Sequence, residues 1–120
     1  MASARILTVA GGLAGAAGVA LSAAAAHAGG GNTGTAASFL LMHAAAFLAV
    51  GLARSSLPMR VAALVMLVGL ALFAGDLLMR DFAGTRLFPM AAPTGGTLMI
   101  LGWIALAITG AFARARTADE

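Results

Sequence analysis

A chain of 120 residues that is 62% hydrophobic and 9% charged is too apolar to build a water-facing surface, because a soluble domain is about half apolar and a quarter charged. Seven basic and four acidic residues exclude a soluble enzyme, a nucleic-acid reader and a disordered regulator. The seven basic residues are all arginine, set singly at segment ends, whereas a nucleic-acid surface clusters them on one face. The absence of cysteine removes disulfides, thiolate metal sites and cysteine nucleophiles together.

A spanning helix needs about 20 mostly apolar residues, and four such runs follow in chain order, at 6–28, 35–53, 59–79 and 95–113. They occupy most of 1–120, which is therefore a single transmembrane domain. The first run follows Arg5 and ends in Ala26-His27-Ala28, a small-x-small pattern that also suits a secretory signal peptide. It exceeds a signal core of roughly 7–15 residues, so the expectation is a helix that stays. Residues 29–34, three glycines then Asn32, Thr33 and Gly34, read as a flexible turn, with Thr33 or Thr35 capping the second helix. Arg54 to Pro58 is a short turn, and Pro58 suits the first turn of the third helix. The longest link runs from Arg80 to Thr94 and is half apolar (Phe82, Leu87, Phe88, Met90), so it is expected to fold against the membrane surface. Pro93 to Gly96 is read as the end of that link and the cap of the fourth helix.

Short turns make consecutive helices antiparallel neighbours, which predicts an all-α, up-down four-helix membrane bundle. The N-terminus, second link and C-terminus then share one side and carry Arg5, Arg54, Arg60, Arg114 and Arg116, against Arg80 and Arg86 opposite. The positive-inside rule places both termini in the cytoplasm. Abundant Ala and Gly without Lys or Tyr suit a GC-rich bacterial genome, hence a bacterial cytoplasmic (inner) membrane.

In lipid, helices associate through small residues that let backbones approach. Gly11, Gly15, Gly18 and Ser22 form one face of the first span. Ala62, Gly69 and Asp76 recur at intervals of seven in the third, as do Gly95, Gly102 and Thr109 in the fourth. These faces are expected to serve internal packing of the bundle, with an interface to a partner protein as the alternative.

The order of local motifs is itself informative. Ala26-His27-Ala28-Gly29 closes the first helix, Met42-His43-Ala44-Ala45-Ala46 lies in the second, and Gly69 to Gly75 in the third. Ala92-Pro93-Thr94-Gly95-Gly96 and then Gly102-Trp103 follow. Over residues 6–110 this order resembles the domain of unknown function 423 family, small four-helix inner-membrane proteins. The resemblance implies that fold and location and brings no activity with it. Leu41 and Met42 stand where the family carries Tyr-Gln, Asp76 where Ser is usual, and Ala92 where Thr is usual, so a shared polar site would be altered here.

His27, His43, Asp76 and Arg80 are the candidate functional residues. A bis-histidine haem is disfavoured, because an antiparallel turn near Gly31 puts His43 opposite about residue 20, seven residues or ~10 Å from His27. A chlorophyll-type magnesium on His27 meets the helix-breaking glycines directly after it. Each imidazole is expected to bond a backbone carbonyl or a polar group across the bundle, with no cofactor and no metal. A carboxylate inside a span is by default a functional hypothesis, but Arg80 at i+4 is a ready partner for Asp76 and no other span holds an acid. The expectation is a non-catalytic accessory subunit on a larger membrane complex, respiratory or photosynthetic, in contact with membrane lipids. The rivals are a small oligomeric transporter or channel using Asp76 and the histidines, and a lipid- or quinone-binding module.

Overall fold

The computed structural model describes residues 2–28 and 30–118, and side chains as far as residue 113; Gly29 and the side chains of Arg114 and Arg116 lie outside the described residues. Four helices follow one another: α1 (Ala2–Ala28), α2 (Gly31–Leu52), α3 (Leu57–Phe82) and α4 (Ala91–Ala118). All four are long and apolar enough to cross a membrane, within a body of 54 × 27 × 22 Å.

Every helix is longer than its apolar run. The spans at 6–28 and 35–53 grow at their N-terminal ends, and those at 59–79 and 95–113 at both ends; polar and small residues join a first turn once a cap is in place. For α3 that cap is local: the Ser56 hydroxyl accepts from the Met59 amide, and Pro58 sits in the first turn. For α2 the expected Thr33 or Thr35 cap is replaced. Gly30 occupies the N-cap with φ 99° and no side-chain bond of its own, and Asp81 from the end of α3 accepts from the Thr33 amide at 2.7 Å. The Thr35 hydroxyl bonds back to the Gly31 carbonyl instead. The glycine-rich stretch expected as a flexible turn is therefore the first turn of α2. Likewise α4 begins at Ala91, so Pro93 and the two glycines after it lie inside the helix, and the third link contracts to 83–90. Gly84 and Met90, both left-handed at φ 72° and 70°, bracket that link.

α1 packs along α2, α2 against α3, and α3 along α4, with a small contact between α1 and α3. Among the described residues α1 and α4 do not pack on each other. Gly51 lies beside Ala4 and Thr8, Gly11 beside Ala44 and Leu48, and Gly18 beside Leu41. On the other side of the bundle Gly69 lies beside Gly95 and Met99, and Gly102 beside Ala62 and Met66. At Gly69 an added Cβ would stand 2.6 Å from the Gly95 carbonyl oxygen, so the two backbones touch there, as small residues allow. Ser22 is exposed and stands apart from the Gly11–Gly18 contact. The core lies between α1, α2 and α3, around Leu7, Phe47, Ala63 and Met66, and Met99 joins it from α4.

Candidate functional site

Two buried polar centres lie inside the bundle and a third closes one end. His43 is on the buried face of α2, 1% exposed. Its Nδ1 is 2.8 Å from the carbonyl oxygen of Phe39, one turn earlier. The indole Nε1–H of Trp103 on α4 donates to its Nε2 at 3.1 Å. Because the indole can only donate, Nε2 must accept, and the proton sits on Nδ1, where it bonds the Phe39 carbonyl. Both ring nitrogens are thus engaged. Phe39 and Phe47 flank the imidazole with ring centroids 6.0 and 6.2 Å away, and Phe73 of α3 packs on Phe39 at 4.7 Å. The imidazole links α2 to α4, two helices joined here through a side chain rather than by backbone approach.

His27 is elsewhere. It is exposed in the last turn of α1, while the part of α1 that faces His43 is around Gly15 and Gly18, which meet Ala44 and Leu41. Nine residues of helix separate Gly18 from His27, about 14 Å at 1.5 Å per residue. The fold does not bring the two histidines together.

Asp76, 1% exposed, is the second centre. Its Oδ1 accepts from the amide of Leu87 in the 83–90 link at 2.8 Å, and its Oδ2 lies 2.7 Å from Arg80 Nη2, one turn further along α3. The ion pair is close without hydrogen-bond alignment, so Asp76 Oδ2 and Arg80 Nε are buried with no hydrogen-bond partner. Burying a carboxylate is costly unless it is paired and bonded, and here both come from within ten or so residues of chain. The link folds back over the end of α3, and the Leu87 side chain comes within 3.7 Å of where a Cβ on Gly75 would stand. This carboxylate is a staple between the link and its own helix.

Asp81, the third, stands in the stretch from Arg80 to Thr94 that the sequence reads as a link. Besides the Thr33 amide it accepts from the Thr33 hydroxyl at 2.6 Å and from the Asn32 side-chain amide at 3.0 Å. Three donors from the first turn of α2 therefore converge on one carboxylate of α3. A Cβ on Gly30 would stand 2.9 Å from Asp81 Oδ2, which explains glycine at that N-cap. The available signal was a helix start rich in glycine with no acid of its own in the first turn. Trp103 stands in the sequence only as part of the Gly102-Trp103 motif; a span-buried histidine in want of a donor is the clue to its role.

The arrangement can hold helices and a link in fixed relation. The imidazole and the Asp76 carboxylate already have protein partners, and they stand on separate pairs of elements. No solved structure matches this fold. The model of the family described as a protein of unknown function (DUF423) matches residues 14–96, from the inner face of α1 through the start of α4. The chain is thus a four-helix membrane protein belonging to the DUF423 family.

Proposed function

We propose that the chain is a non-catalytic accessory subunit packed on a larger complex of the bacterial cytoplasmic membrane, respiratory or photosynthetic, with its spans in antiparallel up-down order and both termini cytoplasmic. The order of helix contacts supports the topology, since rising positions in α1 meet falling positions in α2. Arg5, Arg54 and Arg60 at one end support the orientation.

The observation that carries the reading is the outer face of α1. Gly11 and Gly18 are buried toward α2, yet Gly12, Ala16, Ala20 and Ala23 are exposed on another face of the same helix. Nothing lies within 4 Å of a Cβ placed on Gly12. Val9, Leu13 and Val19 rise beside this strip, each more than half exposed. A face that meets only lipid gains nothing from small residues, whereas a helix partner needs them to approach closely.

The test is gentle solubilisation of native membranes, a native gel, and mass spectrometry of the band that contains the chain. Co-migration with a large complex at fixed stoichiometry is expected. Paired substitutions Gly12→Leu and Ala16→Leu should release the chain from that band and leave the isolated bundle folded. Migration alone or as a small homo-oligomer would overturn the accessory role and make Asp76→Asn the first variant for an ion-flux assay.

A further inference from the structure

The arginines that stand apart along the chain are gathered by the fold. A cavity of about 580 Å³ is lined by Ala4 of α1, Gly51 and Ala53 at the end of α2, and Arg54, Ser55 and Arg60 around the start of α3. Arg5 follows Ala4 on the exposed side of α1. Arg60 is half-buried and anchored: its Nε donates to the Ser3 hydroxyl at 2.9 Å and its Nη1 to the Ser55 carbonyl. Arg54 is exposed and has no hydrogen bond or ion pair among the described residues.

Several backbone acceptors of this corner are already occupied. The Ala49 carbonyl takes the Ala53 amide, the Ala53 carbonyl takes the Ser55 amide, and the Val50 carbonyl takes the Ser55 hydroxyl. Among the described residues the acids are Asp76 and Asp81, at the other end of α3. Asp76 is sixteen residues from Arg60, about 24 Å of helix. Among the described residues the corner is left with positive charge and the unused guanidinium donors of Arg54; the positive N-terminal ends of α1 and α3 add to this and the negative C-terminal end of α2 offsets part of it. That combination suits a phosphate, which guanidinium groups hold in forked geometry.

The source of the phosphate follows from the surroundings. The corner lies where three helices long and apolar enough to cross a membrane begin or end, and Leu52 and Leu57, next to it in the chain, are exposed. A free anion has no use for an apolar surround, and a lipid does. Basic pockets between spanning helices are where anionic headgroups settle. We propose that this corner binds an anionic phospholipid, with its phosphate between Arg54 and Arg60.

The full chain, purified in detergent, would be titrated with phosphatidylglycerol, with phosphatidylcholine and with inorganic phosphate, reading bound lipid by native mass spectrometry. Phosphatidylglycerol is expected to bind at least about fivefold more tightly than phosphatidylcholine, and Arg54→Gln to remove about that factor, as one arginine at a membrane surface contributes. Arg60→Gln should weaken binding too, but it also cuts the bonds to Ser3 and Ser55, so Arg54→Gln is the deciding variant. Equal binding of the two lipids would overturn the proposal, as would unchanged phosphatidylglycerol binding in a folded Arg54→Gln chain. Displacement of the lipid by inorganic phosphate at matched concentration would overturn the lipid assignment in favour of a free-anion site.

Discussion

His43 and Asp76 show two ways of keeping a polar side chain inside an apolar bundle. The imidazole uses one bond to its own helix and one to a distant one, whereas the carboxylate is held by α3 and the link directly after it. Removing a partner from a buried pair leaves an uncompensated group, which costs more than the pair itself contributes. Asp76→Ala should therefore destabilise the folded chain by about 3 kcal/mol, measured by denaturant titration in mixed micelles. Asp76→Asn should lose less, because an amide oxygen can still accept from the Leu87 amide. Equal losses would show that the charge pair with Arg80, rather than the bond to the link, holds this end together. The i+4 spacing of Asp76 and Arg80 was readable along the chain, since a helix puts those positions side by side. Leu87 was not, because its amide reaches Asp76 only after the link turns back.

At the scale of the helix, the same division separates starts that are capped locally from those that are not. Ser56 and Pro58 mark the beginning of α3 within two residues of the apolar run. α2 begins four residues before its apolar run because its cap, Asp81, comes from 48 positions away. Without that carboxylate the Gly31–Gly34 turn has little to hold it, as glycine is a poor helix former. Asp81→Ala should raise amide hydrogen exchange at Thr33 and its neighbours and leave the middle of α2, around Phe47, as protected as before. Unchanged exchange at Thr33 would mean that the glycine turn is held by its packing on α1 rather than by the cap. The small-residue faces were readable as faces, but not which helix each would meet. Gly11 and Gly18 face α2, and Gly69, Gly95 and Gly102 bring α3 and α4 together.

In the whole molecule α3 is the hub, with α2 on one side and α4 on another, while α1 reaches it only briefly. α4 is the most peripheral helix, tied inward by its contact with α3 and by the bond from Trp103 to His43. Because the Ser3 hydroxyl meets Arg60, the beginnings of α1 and α3 lie at one end, and the proposed orientation puts that end in the cytoplasm. Reporter fusions should then be active in the cytoplasmic form at both termini and in the exported form within 83–90. An exported reporter at either terminus would reverse the orientation or change the number of crossings.

Composition and apolar run length were enough to specify four membrane-crossing helices, because hydrocarbon demands internally bonded backbone over a set length and that demand is local. The ordered motifs pointed to the DUF423 family for a related reason: they mark helix ends and close-packing positions, which are properties of short stretches. The distant partners of the polar groups were decided only by the tertiary structure. Thr33 with Asp81, His43 with Trp103 and Arg60 with Ser3 are joined across 48 to 60 positions. Such bonds depend on how helices are placed beside one another, and that placement follows from the packing of the whole bundle rather than from any one stretch of chain.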